Sequence, residues 1–279
     1  MFKEVRIMDN RPVGIFDSGV GGLSAVKAML KAAPNESIIY FGDTARVPYG
    51  NRSRNEITCL SMQDVNFLRI FNLKTILIAC NTITANCIDA LRAANQDIPI
   101  IGVVESAASA AAEATRNNKI GVIATQATVE SGIYRQKLED TLPGVKVFEQ
   151  KCPKFVPLIE SGHISPDDPK LIPVVEEYCR DLKDENVDVV ILGCTHYPLI
   201  QEAVRNYMGS GVTLIDSGGE SVKAVLEGLS ENNQKAAPLV KGSDKYFCSG
   251  DVGRFGAVAN MFLQKNIQPY ASEINIERF

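Results

Sequence analysis

Two stretches of this chain share one design, and that design narrows what the chain can fold into. Val189–Leu199 reads VVILGCTHYPL and Thr75–Ala85 reads TILIACNTITA. In each, a short apolar run rich in β-branched residues leads into a cysteine, Cys194 or Cys80, followed by hydroxyl, amide or imidazole side chains. An unbroken apolar run of this length reads as a strand buried on both faces, as in parallel sheets covered by helices. Thr195 stands where a helix N-cap is expected, and Asn81 or Thr82 opens a predicted helix toward Asn95. Ligands of parallel α/β sheets bind beyond the carboxyl ends of the strands. Two strand-end cysteines therefore predict a site with one thiol on each side.

In chain order, Pro12–Phe16 predicts a strand running into Asp17-Ser18-Gly19-Val20-Gly21-Gly22, then a helix through Leu23, Val26 and Leu30 that stops near Pro34. Ser37–Phe41 reads as a second strand and Gly42–Asn51 as a loop. Ile57–Phe71 has helical spacing, and the first cysteine strand follows. Pro99–Val104 reads as a strand and Glu105 as the start of the next helix.

The pattern restarts at Lys119–Thr125, with Thr125 in the place that Asp17 held. A helix over Val129–Leu138, a strand at Val145–Phe148, a loop and short helix over Cys152–Gly162 and a helix over Leu171–Glu185 lead to the second cysteine strand. Cys80 and Cys194 are 114 residues apart and Asp17 and Thr125 are 108, which reads as an internal duplication. Thr213–Asp216 predicts a strand and Ser217–Gly219 the start of the return. The tail holds a strand at YFCS and a helix over Val252–Gln264. The expected fold is α/β, with two similar parallel-sheet domains related by pseudo-two-fold symmetry and an active site in the cleft between them. Residues 1–104 with 217–279 form the first domain and 105–216 the second.

Composition excludes several function classes. The chain has 279 residues, enough for two modest cores, and its net charge of −4 comes with no basic stripe for nucleic acid. No apolar run reaches the roughly 18 residues of a membrane span, and MFKEVRIMDNRP lacks a secretory signal's apolar core. Seven cysteines without framework spacing read as reduced thiols in a cytoplasm. Two histidines in the whole chain, with no carboxylate–histidine spacing, predict no metal site. No pyridoxal lysine motif is visible, so no cofactor is expected.

DSGVGG at 17–22, GDTARVPYG at 42–50, ACNTITAN at 79–86, GVIATQATVESG at 121–132 and GCTHYPL at 193–199, in this order and spacing, resemble the glutamate racemases. The resemblance implies cofactor-independent interconversion of L- and D-glutamate, with Cys80 taking the proton from the D enantiomer and Cys194 from the L enantiomer. It further implies that Asp17 assists Cys80 and can hold the substrate's ammonium, and that His196 assists Cys194. Ser18, Tyr49, Gly50, Asn81, Thr82 and Thr195 are the remaining implied substrate contacts, with Thr125 and Glu160 on the rim. A homodimer supplying D-glutamate for peptidoglycan is the implied setting. With about eleven residues before the first strand, activation by a cell-wall precursor is not expected. Ile83 stands where the family usually has a small residue, and Ser106 follows Glu105 where proline is common.

The residues support this chemistry independently of the resemblance. Inverting an α-carbon needs one acid/base group on each face of the substrate. A thiol of ordinary pKa about 8.5 ionises more readily at a helix N-terminus, where both cysteines are predicted. Four other readings remain. Gly19-x-Gly21-x-x-Ser24 with Asp43 is a near miss of the dinucleotide fingerprint. Cys194 with His196 could serve a one-thiol hydrolase. The cleft could bind an amino acid without turnover, and aspartate racemase is the nearest relative chemistry. Cys59, Cys87, Cys179 and Cys248 read as small buried hydrophobes, Cys152 as structural and His163 as a surface residue.

Overall fold

The computed structural model describes residues 8–237 and 242–279. Residues 1–7, part of the N-terminal stretch read above as carrying no secretory signal, lie outside the described residues. The first half alternates strand and helix: β1 (Val13–Asp17), α1 (Leu23–Ala32), β2 (Ile38–Gly42), α2 (Arg54–Arg69), β3 (Thr75–Ile78), α3 (Asn81–Ala94), β4 (Ile100–Gly102) and α4 (Val103–Ala114). The second continues with β5 (Lys119–Ala124), α5 (Gln126–Glu130), α6 (Ile133–Thr141), β6 (Lys146–Lys151), α7 (Phe155–Glu160), α8 (Leu171–Asp184) and β7 (Val189–Gly193). A 3₁₀ turn over Tyr197–Ile200, α9 (Gln201–Met208), β8 (Thr213–Asp216) and α10 (Ser217–Glu231) follow. The chain ends with β9 (Lys245–Cys248), α11 (Val252–Leu263) and β10 (Ala271–Glu273).

Two sheets result, with every strand pairing parallel. The first runs β10-β9-β2-β1-β3-β4 and the second β6-β5-β7-β8. The order β2-β1-β3-β4 matches β6-β5-β7-β8 strand for strand, so the duplication read from strand-end spacing is present in the topology. Strands β1, β2, β3 and β7 are buried at every residue, which explains their unbroken apolar runs. β9 extends the first sheet beyond β2 through the register Tyr40↔Tyr246.

One apolar cluster joins the two sheets. It includes Val13 and Ile15 of β1, Val104 and Ala108 of α4, Val122 of β5, Ile191 of β7, and Val225 and Leu229 of α10. α10 packs on α1 and α4 and touches strands of both sheets. Separate clusters fill the far faces: Ile57, Phe67 and Ile83 beneath the first sheet, and Phe155, Val175 and Tyr197 beneath the second.

Several local expectations are corrected. Of Pro99–Val104 only Ile100–Gly102 is strand; Val103 and Val104 open α4, because a short apolar run does not distinguish a strand from a buried helix turn. The helix expected over Val129–Leu138 is two helices. Gly132 takes φ 68°, a left-handed conformation that no helix interior accommodates. Thr195 caps no helix: the chain turns through Cys194–His196 into the 3₁₀ turn, with Pro198 in its first positions. α9 and β10 lie in stretches that gave no signal. α10 was missed beyond Ser217–Gly219 because Gly218, Gly219 and Gly228 dilute its helical propensity. Cys59 is exposed, whereas Cys87, Cys152, Cys179 and Cys248 are buried.

Because α10 bridges the sheets, truncating its buried Leu229 to alanine is expected to cost about 2–5 kcal/mol. Urea unfolding followed by circular dichroism measures this; a loss below about 0.5 kcal/mol, the level of a surface change, would contradict the assigned burial.

Candidate active site

In each sheet the chain first builds to one side, from β1 to β2 or from β5 to β6. It then crosses to the other side, to β3 or β7. The ends of β1 and β3, and of β5 and β7, therefore flank a topological switch point, where α/β sheets form their ligand crevices. Phe16 pairs with Ile78, so Asp17 at the end of β1 and Cys80 just past β3 emerge side by side. Ala124 pairs with Gly193, so Thr125 and Cys194 emerge at the equivalent place on the second sheet.

On the first side Cys80 is buried at the N-cap position of α3, its Sγ 3.4 Å from Ser18 Oγ. Asp17 is also buried. Its Oδ2 accepts the Gly19 N–H at 3.0 Å, while Oδ1 has no hydrogen-bond partner among the described residues. A buried carboxylate oxygen left without a donor is costly, which suits Oδ1 to a cation or a proton donor. Burial, reinforced by the Asp17 charge, pushes the Cys80 thiol far above the ordinary thiol range. The expected help from the α3 N-terminus is thus outweighed by desolvation, and Cys80 is held as a neutral thiol.

On the second side Cys194 Sγ lies 3.8 Å from His196 Nδ1, and His196 Nε2 lies 3.1 Å from Oε1 of Glu160, the last residue of α7. The ring of Phe262, on α11, meets the imidazole edge-on at 5.8 Å. Burial alone would lower the histidine's pKa. Hydrogen bonds to Cys194 and Glu160, with the negative charge of Cys194 and Asp17, prevail and raise it from 6.5 to about 10. Glu160, hydrogen-bonded to His196, is held below its ordinary 4.5 despite partial burial. His196 therefore presents an N–H to each neighbour, the Cys194 sulfur and the Glu160 carboxylate.

Three contacts press the two sides together. A Cβ on Gly21 would lie 2.2 Å from Thr195 Oγ1 and 2.5 Å from His196 Nδ1, so only glycine lets the loop after β1 meet that turn. Thr82 Oγ1 lies 3.0 Å from Thr125 Oγ1 and 3.4 Å from Thr128 Oγ1. The Gly50 carbonyl accepts the Ala127 N–H at 3.2 Å, and its α-carbon faces Thr125. The structure thus groups Asp17, Ser18 and Cys80 on one side and Cys194, His196 and Glu160 on the other, with Thr195 against Gly21, and Gly50 and Thr82 against Thr125.

Two residues expected as substrate contacts have their side chains engaged elsewhere. The Tyr49 hydroxyl donates to Asp43 in a buried network with Asp64 and Arg46. The Asn81 amide binds Tyr134 and Ser217. Asp43 is consumed by Tyr49, Arg46 and Ser249, which removes the acidic residue that the dinucleotide reading needed. Ile83 points into the core beneath the first sheet, and His163 pairs with Asp168 outside the site. Gly21, Thr128, Tyr134, Ser217 and Phe262 were not singled out from sequence. Of these, Gly21 inside DSGVGG and Thr128 inside GVIATQATVESG lie within the motifs that carried the resemblance.

Among the described residues no group of three or more His, Cys, Asp or Glu side chains is placed to hold a metal ion. No described helix is long and apolar enough to cross a membrane.

The fold is that of the two-sheet amino-acid racemases, and the chain belongs to the Asp/Glu/Hydantoin racemase family, whose profile matches residues 17–225. Among its relatives, the glutamate racemase of Streptococcus pneumoniae (strain Hungary19A-6) is 44% identical over 264 residues, covering 93% of this chain and 97% of that protein. The crystal structure of glutamate racemase from Francisella tularensis in complex with D-glutamate aligns with TM-score 0.90 and 36% identity, over 97% of this chain and 100% of that one. The RacE1 glutamate racemase isoform of Bacillus anthracis aligns with TM-score 0.90 and 33% identity, over 95% and 98%. An aspartate racemase from Picrophilus torridus, 20% identical with TM-score 0.54, shares the fold.

Two outcomes are expected. Gly21→Ala displaces the Thr195–His196 turn and should lower turnover about 100-fold, the scale of a 1 Å misplacement, while the unfolding midpoint moves little; unchanged turnover would contradict the contact. The raised His196 pKa means that its stabilisation is complete below 6.5 and lost as pH rises through about 10. Glu160, being depressed, contributes above 4.5 and loses its contribution as pH falls through its lowered value. The stability difference between the native chain and Glu160→Gln should therefore be largest near pH 5–6 and shrink toward pH 10; a difference flat with pH would contradict the pair.

Proposed function

We propose that this chain interconverts L- and D-glutamate by passing the α-proton between two thiols on opposite faces of the substrate. The observation that carries this reading is the pair of buried thiols at equivalent strand ends of two like sheets, each beside its own polar partner: Ser18 and Asp17 for Cys80, His196 for Cys194. A one-thiol hydrolase would leave Cys80 without a role.

In the L-to-D direction Cys194 acts as a thiolate beside the protonated His196. The sulfur then takes the proton from Cα as that C–H bond breaks, and the Cys80 thiol delivers its proton to the opposite face. The reverse direction exchanges the two roles. No electrons change hands: a turnover leaves Cys194 as the thiol and Cys80 as the thiolate, and either a turnover in the opposite direction or proton exchange with solvent restores the starting state. Asp17 Oδ1 suits the substrate ammonium. The amides at the α3 N-terminus, at Asn81 and Thr82, suit a carboxylate. The site belongs to a cleft between two domains, residues 1–104 with 217–279 and residues 105–216. Similarity at 44% to glutamate racemases, against fold-level likeness to aspartate racemases, favours glutamate as substrate. The same similarity supports a cytoplasmic homodimer that supplies D-glutamate for peptidoglycan.

The test is incubation of each enantiomer in D₂O with the native chain, Cys80→Ser and Cys194→Ser. The native chain should racemise both enantiomers, and each variant should lose racemisation by about 10²–10⁴-fold, the weight of a lost acid/base group. Cys80→Ser should keep α-proton exchange on L-glutamate alone, and Cys194→Ser on D-glutamate alone. Tight binding without exchange or inversion by the native chain would refute the reading and leave an amino-acid-binding protein.

A further inference from the structure

A chain of buried hydrogen bonds runs from the residue after Cys80 to the strand that carries Cys194. The Tyr134 hydroxyl lies 2.6 Å from Asn81 Oδ1, Asn81 Nδ2 lies 3.0 Å from Ser217 Oγ, and Ser217 Oγ lies 3.1 Å from the Leu192 carbonyl. Its direction is fixed from the far end. A backbone carbonyl only accepts, so Ser217 donates to Leu192 and must accept from the Asn81 amide nitrogen. The Asn81 oxygen then faces Tyr134, which donates to it. Tyr134, Asn81 and Ser217 are all buried, so water does not compete for these bonds.

The positions joined are those that place the thiols. Asn81 is the first residue of α3, directly after Cys80. Leu192 is two residues before Cys194 and pairs with Asp216, the N-cap of α10, while Ser217 begins that helix. Tyr134 also touches the second thiol's strand directly: a Cβ on Gly193 would lie 3.4 Å from its ring. One tyrosine thus packs on the residue before Cys194 and hydrogen-bonds the residue after Cys80.

We infer that Tyr134 and Ser217, acting through the Asn81 side chain, are positioning residues that set the placement of the Cys80 thiol relative to the Cys194 thiol. This rests on the two-thiol racemase reading. Proton removal needs one well-placed sulfur, whereas inversion needs both at once. Loosening this hydrogen-bonded link should therefore impair delivery to the second face more than removal from the first. The carbanion then waits longer, the abstracting thiol exchanges its proton with solvent, and the label returns to the face it came from.

The experiment uses Tyr134→Phe, Ser217→Ala, their double variant and Ser217→Thr, leaving the thiols and Asn81 intact. Enantiomers are isoenergetic in water, so kcat/KM must match in the two directions for every variant. The informative quantities are kcat, KM, and the ratio of deuterium entering the unreacted enantiomer to deuterium entering the product in D₂O. Tyr134→Phe and Ser217→Ala should each lower kcat about 10–100-fold in both directions, with KM within about twofold of native, and should raise the retention-to-inversion ratio. The double variant should be little worse than the poorer single one, since both act on one amide. Ser217→Thr, which keeps the hydroxyl, should recover most of kcat. A lower melting temperature with kcat per folded molecule and the ratio unchanged would overturn the inference. So would a fall in kcat at constant ratio, since removal and delivery would then have slowed together. If the native chain does not racemise glutamate while the variants fold, the racemase reading fails and this inference with it; a racemising native chain with unaffected variants sinks the inference alone.

Discussion

The close approach of Gly21 to the turn at Thr195 and His196 governs the site. Neither sheet alone assembles it: the first brings a thiol, a carboxylate and a serine, and the second brings a thiol, an imidazole and a glutamate. Chemistry on a single carbon requires these sets to be held against each other, and the missing Cβ at position 21 allows it. Thr82 against Thr125 and Thr128, and Asn81 against Tyr134 and Ser217, add polar links between the same elements. Behind them the shared apolar cluster around α10 gives the two sheets a common core.

Within that frame the two thiols are chemically unlike. Burial and the neighbouring Asp17 hold the resting Cys80 protonated. Cys194 faces an imidazole whose pKa is raised to about 10, tied down by Glu160 and braced by Phe262. A racemase needs one proton donor and one acceptor at any moment, exchanging roles with direction. The asymmetric surroundings supply that difference in the resting site, and under the proposed function the Asp17 Oδ1, which has no hydrogen-bond partner among the described residues, suits the substrate's ammonium.

Much of this was legible in the sequence for identifiable reasons. Strands buried on both faces produce runs such as Ile76–Ile78 and Val189–Leu192 that cannot be mistaken for surface, and strand-end cysteines mark the crevice edge of a parallel sheet. The repeated spacing exposed the duplication that the strand orders display. What stayed hidden depends on contacts distant in sequence. α10 carries three glycines and reads as a weak helix, yet it is stabilised by packing between the sheets. Tyr49 and Asn81 sit inside the motifs, but only the fold shows Tyr49 turned toward Asp43 and Asn81 turned toward Tyr134 and Ser217. The Cys80 environment was misjudged because helix position is readable from sequence and depth of burial is not.

The central claim is geometric, and a crystal structure of the chain with D-glutamate bound tests it most directly. Two-thiol racemisation requires the substrate Cα between the two sulfurs, Cys80 on the face bearing the α-proton and Cys194 on the opposite face, each at about 3–3.5 Å. A substrate whose Cα lies against only one thiol, or with both thiols on the same face, would contradict it.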